Sequence, residues 1–186
     1  RSNTMRIGFA KAKLTREDPN LEEQTVQTPA EVAGKFDYDG DVDLYRFTAK
    51  KGQTLWIEIV ADRLAAPIDP NIIIQQITEE PETVRVLRET DDFSIRPSLV
   101  GFDVRTFDSG TSFTAPADGD YRIILRNNFG KSGLAHAYSL SIREPEPDFQ
   151  LIAIGDSKYQ DARMAYPGAP QLGAGGTVSI RVVALR

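Results

Sequence analysis

The sequence predicts an all-β chain, a jelly-roll-like antiparallel β-sandwich. Three observations predict it. The hydrophobic pattern has a period of two nearly everywhere; runs of strand length are separated by glycine-containing turns; and no window carries a helical stripe of three turns.

Taken in order, the runs fall at 5–10, 32–38, 44–49, 54–61, 71–78, 84–89, 112–115, 121–127, 137–144, 149–154 and 177–185. In "TLWIEIV" Leu55, Ile57 and Ile59 share one face, with Trp56, Glu58 and Val60 on the other. "YRIILRN" groups Tyr121, Ile123 and Leu125, and "AYSLSIRE" sets Tyr138, Leu140 and Ile142 against Ser139, Ser141 and Arg143. "TVSIRVVAL" aligns Val178, Ile180 and Val182. Alternation of this kind marks half-buried strands, so Leu55, Ile57, Tyr121, Ile123, Tyr138 and Leu140 are expected in the core. Asp39-Gly40, Lys51-Gly52, Asp118-Gly119 and Lys131-Ser132-Gly133 supply the turns, because glycine and aspartate fit conformations that other residues resist. Two short helix-like stretches remain, near 62–66 and 91–98.

Two boundaries divide the chain. Residues 1–28 read as a lead-in strand and an acidic linker, "LTREDPNLEEQT", too charged for a core strand. Residues 29–144 hold the compact sandwich. Residues 145–186 begin with the proline-containing spacer "REPEPDFQL" and continue as a β tail. That tail either packs on the main domain or opens a further module, since two strands cannot make a stable core alone. The strands at 5–10 and 149–154 should each have a pairing partner. A start at Arg1 suggests a piece of a longer chain.

Composition narrows the function classes. Of 186 residues, 40% are hydrophobic and 26% charged, as in ordinary globular proteins. The formal net charge of −5 and the lack of a basic stripe argue against a nucleic-acid partner. No apolar run reaches the ~20 residues a membrane helix needs, and no signal-peptide core is visible. With no cysteine and one histidine, His136, thiolate chemistry and zinc sites of the usual type are excluded. "FGKSG" at 129–133 lacks the first glycine and following helix of a phosphate loop and reads as a hairpin loop. "GAGG" at 173–176 reads as a flexible loop. His136, without a serine elbow nearby, reads as a surface loop residue.

"DYDGDVD" is the most charged motif, with Asp37, Asp39, Asp41 and Asp43 at alternate positions. An EF-hand is excluded, because Val42 and Thr48 stand where glycine and glutamate are required. Lys35 and Arg46 are the nearby cations able to relieve the repulsion. Three outcomes stay open: a solvated turn, a loop assisted by calcium, or a turn capped by Asp43 accepting backbone N–H bonds.

The ordered pieces "GDVDLYRFTAKKGQTLWIEI", "LAAPIDPNIIIQ", Asp91-Asp92, "FTAPADGDYRIILRNNFG" and "YSLSI" resemble the bacterial pre-peptidase C-terminal domain, or PPC domain, over about 32–144. The flavour is that of repeats in large exported planctomycete-type proteins. The resemblance implies an extracytoplasmic jelly roll without catalytic activity, serving neighbouring domains of its parent chain. In collagen-binding relatives calcium is held between an E-x-E-P-N lead-in and the D-x-D turn. Carried over by position, that set is Asp18, Asn20, Asp41 and Asp43. Arg16 and Leu21 depart from the family pattern and reduce the ligand count. The expected function is therefore a non-catalytic accessory module assisting folding, display or adhesion, with no cofactor or with calcium. One alternative is a module binding polysaccharide or a fibrous extracellular protein through exposed aromatics, the candidates being Tyr45, Phe47, Trp56, Phe102 and Phe107. The other is a carboxylate-dependent hydrolase, which requires a deep pocket with two facing acids.

Overall fold

A computed structural model describes residues 9–79, 82–95, 104–147, 150–155, 174–177 and 180–185. The chain divides into two units: Arg1–Phe93 with Thr106–Pro145, and Ser94–Arg105 with Glu146–Arg186.

The strands are β1 (Leu14–Arg16), β2 (Gln24–Thr25), β3 (Ala30–Lys35), β4 (Val42–Ala49), β5 (Thr54–Val60), β6 (Pro70–Glu79), β7 (Glu82–Thr90), β8 (Asp92–Ile95), β9 (Val104–Thr114), β10 (Gly119–Asn127), β11 (Ala137–Arg143), β12 (Gln150–Gly155) and β13 (Ile180–Leu185). One sheet has the order β1-β3-β11-β5-β9-β8 and another the order β2-β4-β10-β6-β7. They pack face to face as a sandwich. In the second unit, β12 and β13 pair antiparallel, from Gln150↔Leu185 to Gly155↔Ile180.

The core lies where the alternating patterns meet. From one sheet Val32, Leu55, Ile57, Ile59, Leu140 and Ile142 point inward; from the other Phe47, Ile72, Ile74, Tyr121, Ile123 and Leu125 do so. Full burial of one such side chain stabilises by about 1.5–3 kcal/mol. Phe47, Phe113 and Tyr121 form an aromatic cluster with centroid separations of 5.3–6.3 Å. All six residues expected to be buried are buried.

Several local expectations change. The lead-in is not wholly loop: β1 pairs parallel with β3 and β2 parallel with β4. Both sheets are therefore mixed rather than purely antiparallel. Within 91–98, Asp92–Ile95 is strand rather than helix, and residues 96–98 lie outside the described ones. Near 62–66 the chain does form a short 3-10 turn, Asp62–Leu64. The Lys51-Gly52 turn and the loop at 129–133 carry the chain between sheets instead of joining hairpin partners. Gly52, at φ 81, makes the tight turn possible. Of the first expected strand, residues 5–8 lie outside the described ones, while Phe9 and Ala10 are not in a strand.

Candidate functional site: an acidic cavity under the lead-in segment

The lead-in reaches both sheets. β1 lies against β3 in one and β2 against β4 in the other, so the residues between them bridge the sandwich edge. Gln24 closes this bridge: its side-chain oxygen accepts the Asp18 N–H at 2.9 Å and its amide donates to the Arg16 carbonyl at 3.2 Å. Beneath it lies a cavity of about 480 Å³. Its lining includes Glu17, Asp18, Glu22, Asp37, Asp41 and Asp43 and, among the described residues, no lysine, arginine or histidine.

The four alternating aspartates divide their work. Asp37 is ion-paired with Lys35. Asp39 turns away, bonded to Lys131 Nζ at 3.1 Å and Ser132 Oγ at 3.0 Å, which hold its carboxyl below the usual range. Asp41 is buried and accepts the Asp37 N–H at 2.6 Å and the Val42 N–H at 2.9 Å. It therefore caps the turn, the role the capping alternative gave to Asp43. Arg46 pairs with Asp120, at 2.7 Å.

Asp43, at the start of β4, is buried in the cavity wall and accepts the Tyr138 hydroxyl at 2.6 Å. Tyr138 is in turn 2.6 Å from the Tyr45 hydroxyl. With Tyr138 donating to Asp43, Tyr45 donates to Tyr138, which makes a directional chain of three side chains. Burial pushes the Asp43 carboxyl up to about 8; the Tyr138 bond opposes this, and the adjacent Glu17 and Asp41 add to it. Burial also raises both tyrosines. Glu17 reaches the same point from β1 while its Oε2 accepts the Lys35 N–H at 2.9 Å.

All four residues named from sequence line this one cavity. Asp18 and Asn20 are exposed and bonded to each other, Asp18 Oδ1 accepting the Asn20 N–H at 3.0 Å and Nδ2 at 2.9 Å. Glu17 was missed. Its position is fixed by the parallel pairing of β1 with β3, which continues in the Glu17 N–H to Ala33 carbonyl bond at 3.0 Å. Gly34 gives it room: a Cβ there would lie 2.5 Å from the Tyr138 hydroxyl and 2.6 Å from Glu17 Oε2.

No family model matches the chain. No curated protein matches it either. Among solved structures it is similar to the pre-peptidase C-terminal domain of a collagenase from Bacillus anthracis, with 12% identity, a TM-score of 0.47, and 68% of this chain and 100% of that one covered. It is also similar to CorA, a surface-associated copper-binding protein important in copper acquisition by Methylomicrobium album BG8. There the identity is 10%, the TM-score 0.38, and the coverage 72% of this chain and 98% of the other.

Among the described residues the aromatic candidates do not form a platform. Tyr45 and Phe47 are buried. Trp56 is half-buried, its Nε1–H donating to Glu58 at 3.0 Å. The side chain of Phe102 lies outside the described residues. Phe107 is exposed and meets the equally exposed Phe129 edge-on, with centroids 5.6 Å apart.

Proposed function

We propose that this chain is a non-catalytic accessory β-sandwich module of a larger exported bacterial protein, acting outside the cytoplasm on neighbouring domains of its own parent chain. The observation that carries this reading is the lead-in segment tied to both sheets over an acidic cavity. Such an attachment fixes the direction in which the preceding chain leaves the module. The acids in the cavity are engaged in structure: Asp41 holds the turn, Asp43 holds Tyr138, and Glu17 holds the Lys35 amide. The adjacent Glu17 also raises the Asp43 carboxyl. Glycoside cleavage needs two facing carboxyls free to act on the bond between them, and acids already committed to these structural bonds disfavour the hydrolase reading.

Calcium fits the donor set, which is all oxygen and carries excess negative charge. Asp18, Asn20, Asp41 and Asp43, joined by Glu17, would hold it and lock the lead-in to the turn. Two measurements test the proposal. An exported reporter domain fused ahead of the chain should be recovered folded in higher yield than the reporter alone; equal yield overturns the accessory role. Calcium should slow proteolysis of the 17–24 segment, and an unchanged cleavage rate removes the metal from the reading. A second reading, adhesion to polysaccharide or fibrous protein, is favoured by the exposed Phe107–Phe129 pair. It predicts that pull-down on insoluble collagen or cellulose weakens when both are changed to alanine.

A further inference from the structure

A second group of acids lies at the point where β7 ends and β8 begins, which is where the chain leaves the five-stranded sheet for the six-stranded one. One carboxylate oxygen from each of Asp69, Asp91 and Asp92 lies within 4.8 Å of the other two. Asp69 precedes β6, and Asp91 and Asp92 fill the β7–β8 junction. The loop after β10 braces both sides: the Asn128 N–H donates to the Asp69 carbonyl at 2.8 Å, and Asn128 Nδ2 donates to Asp91 Oδ1 at 2.9 Å. Among the described residues no lysine or arginine pairs with any of the three. Arg126 is bound to Glu89, and Lys131 to Asp39.

An independent feature lies at the neighbouring strand position. Asn71 is only 4% exposed, yet its Oδ1 accepts no hydrogen bond. It stands two residues along from Asp69, and alternation puts the two side chains on one face. One step beyond the Ile72↔Thr90 pair, the β6–β7 register sets Asn71 opposite Asp91. A buried amide oxygen with no donor is destabilising, and such groups call for a partner. Asp69 Oδ1 is likewise buried and unpartnered. Burial and the charges of Asp91 and Asp92 raise the Asp69 carboxyl above its usual range.

We propose that Asp69, Asp91 and Asp92, with the Asn71 amide oxygen, form a divalent-cation site distinct from the lead-in cavity. Calcium suits it best, because three carboxylates and an amide carbonyl are hard oxygen donors and calcium accepts such irregular sets, completed by water. The ion would join the start of β6 to the crossover between sheets and relieve both orphaned oxygens.

The test uses the full chain freed of metal by chelation and titrated calorimetrically with calcium chloride. The double variant D91N/D92N should bind at least tenfold more weakly at this site and lose the corresponding rise in melting temperature, while Asp41→Asn should retain both. Loss in Asp41→Asn with full binding in D91N/D92N overturns this site and leaves the lead-in cavity as the calcium site. Unchanged binding in both variants overturns both sites. If D91N/D92N does not fold, manganese added to the unsubstituted chain decides by NMR. Selective broadening of the Asn71, Asp91 and Asn128 amides supports the site; broadening confined to 17–24 and 37–45, or none, overturns it.

Discussion

Gly34→Ala should be among the most damaging single-methyl additions in the sandwich. The new Cβ would lie 2.5 Å from both Cζ and the hydroxyl of Tyr138 and 2.6 Å from Glu17 Oε2, where ordinary contact begins at 3.4 Å. The tyrosine ring must therefore retreat by nearly an ångström. Its two hydrogen bonds, to Asp43 and Tyr45, are each 2.6 Å and cannot follow. Losing a bond to a carboxyl group and a neutral one costs about 2–4 kcal/mol together. Overpacking adds about 1–3 kcal/mol, and the stiffer unfolded chain returns about 0.4–1 kcal/mol. A net loss of about 2–7 kcal/mol follows from these ranges, or roughly 4–28 °C in Tm for a chain of this size. Urea unfolding followed by Trp56 fluorescence measures it. A double-mutant cycle with Tyr138→Phe locates it, because the hydroxyl part of the loss must vanish in the phenylalanine background. A Gly34→Ala loss below about 1 kcal/mol, or full additivity with Tyr138→Phe, would refute the reasoning.

Three other outcomes are expected. With its carboxyl raised to about 8 by burial, Asp43 keeps a proton in the folded chain that the unfolded chain releases near pH 4. Its contribution to stability is whole below about pH 4 and is lost as pH rises through about 8; melting curves should show this fall, and Asp43→Asn should flatten it. Asp108→Ala removes a carboxylate that is 1% exposed and accepts the N–H groups of Ala61, at 2.7 Å, and Asp62, at 2.6 Å. It should lower stability by about 3 kcal/mol in urea titration, as buried donors lose their acceptor. Ile57→Ala, at a fully buried position between β11 and β9, should lose about 2–5 kcal/mol by the same assay.

The fold was legible where strands have two unequal faces. β4, β5, β10 and β11 alternate core and surface residues, so their limits are read within a residue or two. β1 and β2 are three and two residues long with no buried side chain, so they carry no periodic signal; backbone pairing at a sheet edge makes them. In the lead-in cavity, Asp41 and Asp43 could be read from their alternation and Asp18 and Asn20 from a family motif. Glu17 could not, because the position of its carboxyl depends on Gly34 and Tyr138, and Tyr138 is far away in sequence. Asp91 and Asp92 were visible as a pair. Their meeting with Asp69, and the orphaned oxygen of Asn71, come only from the register of β6 against β7.

The order of strands also sets when the molecule can form. β3 and β5 are separated in their sheet by β11, and β4 and β6 in theirs by β10. Each early strand thus waits beside an empty lane until a late strand fills it. Pairings between distant parts of a chain are slow to form, and open strand edges invite association with other chains. A chain emerging residue by residue completes its five-stranded sheet only when β10 is out and its six-stranded sheet only when β11 follows, so cutting it before Ala137 should leave the five-stranded sheet's apolar face without a closed partner. Folding here works as a completeness check: the sandwich closes only when its last strand has arrived.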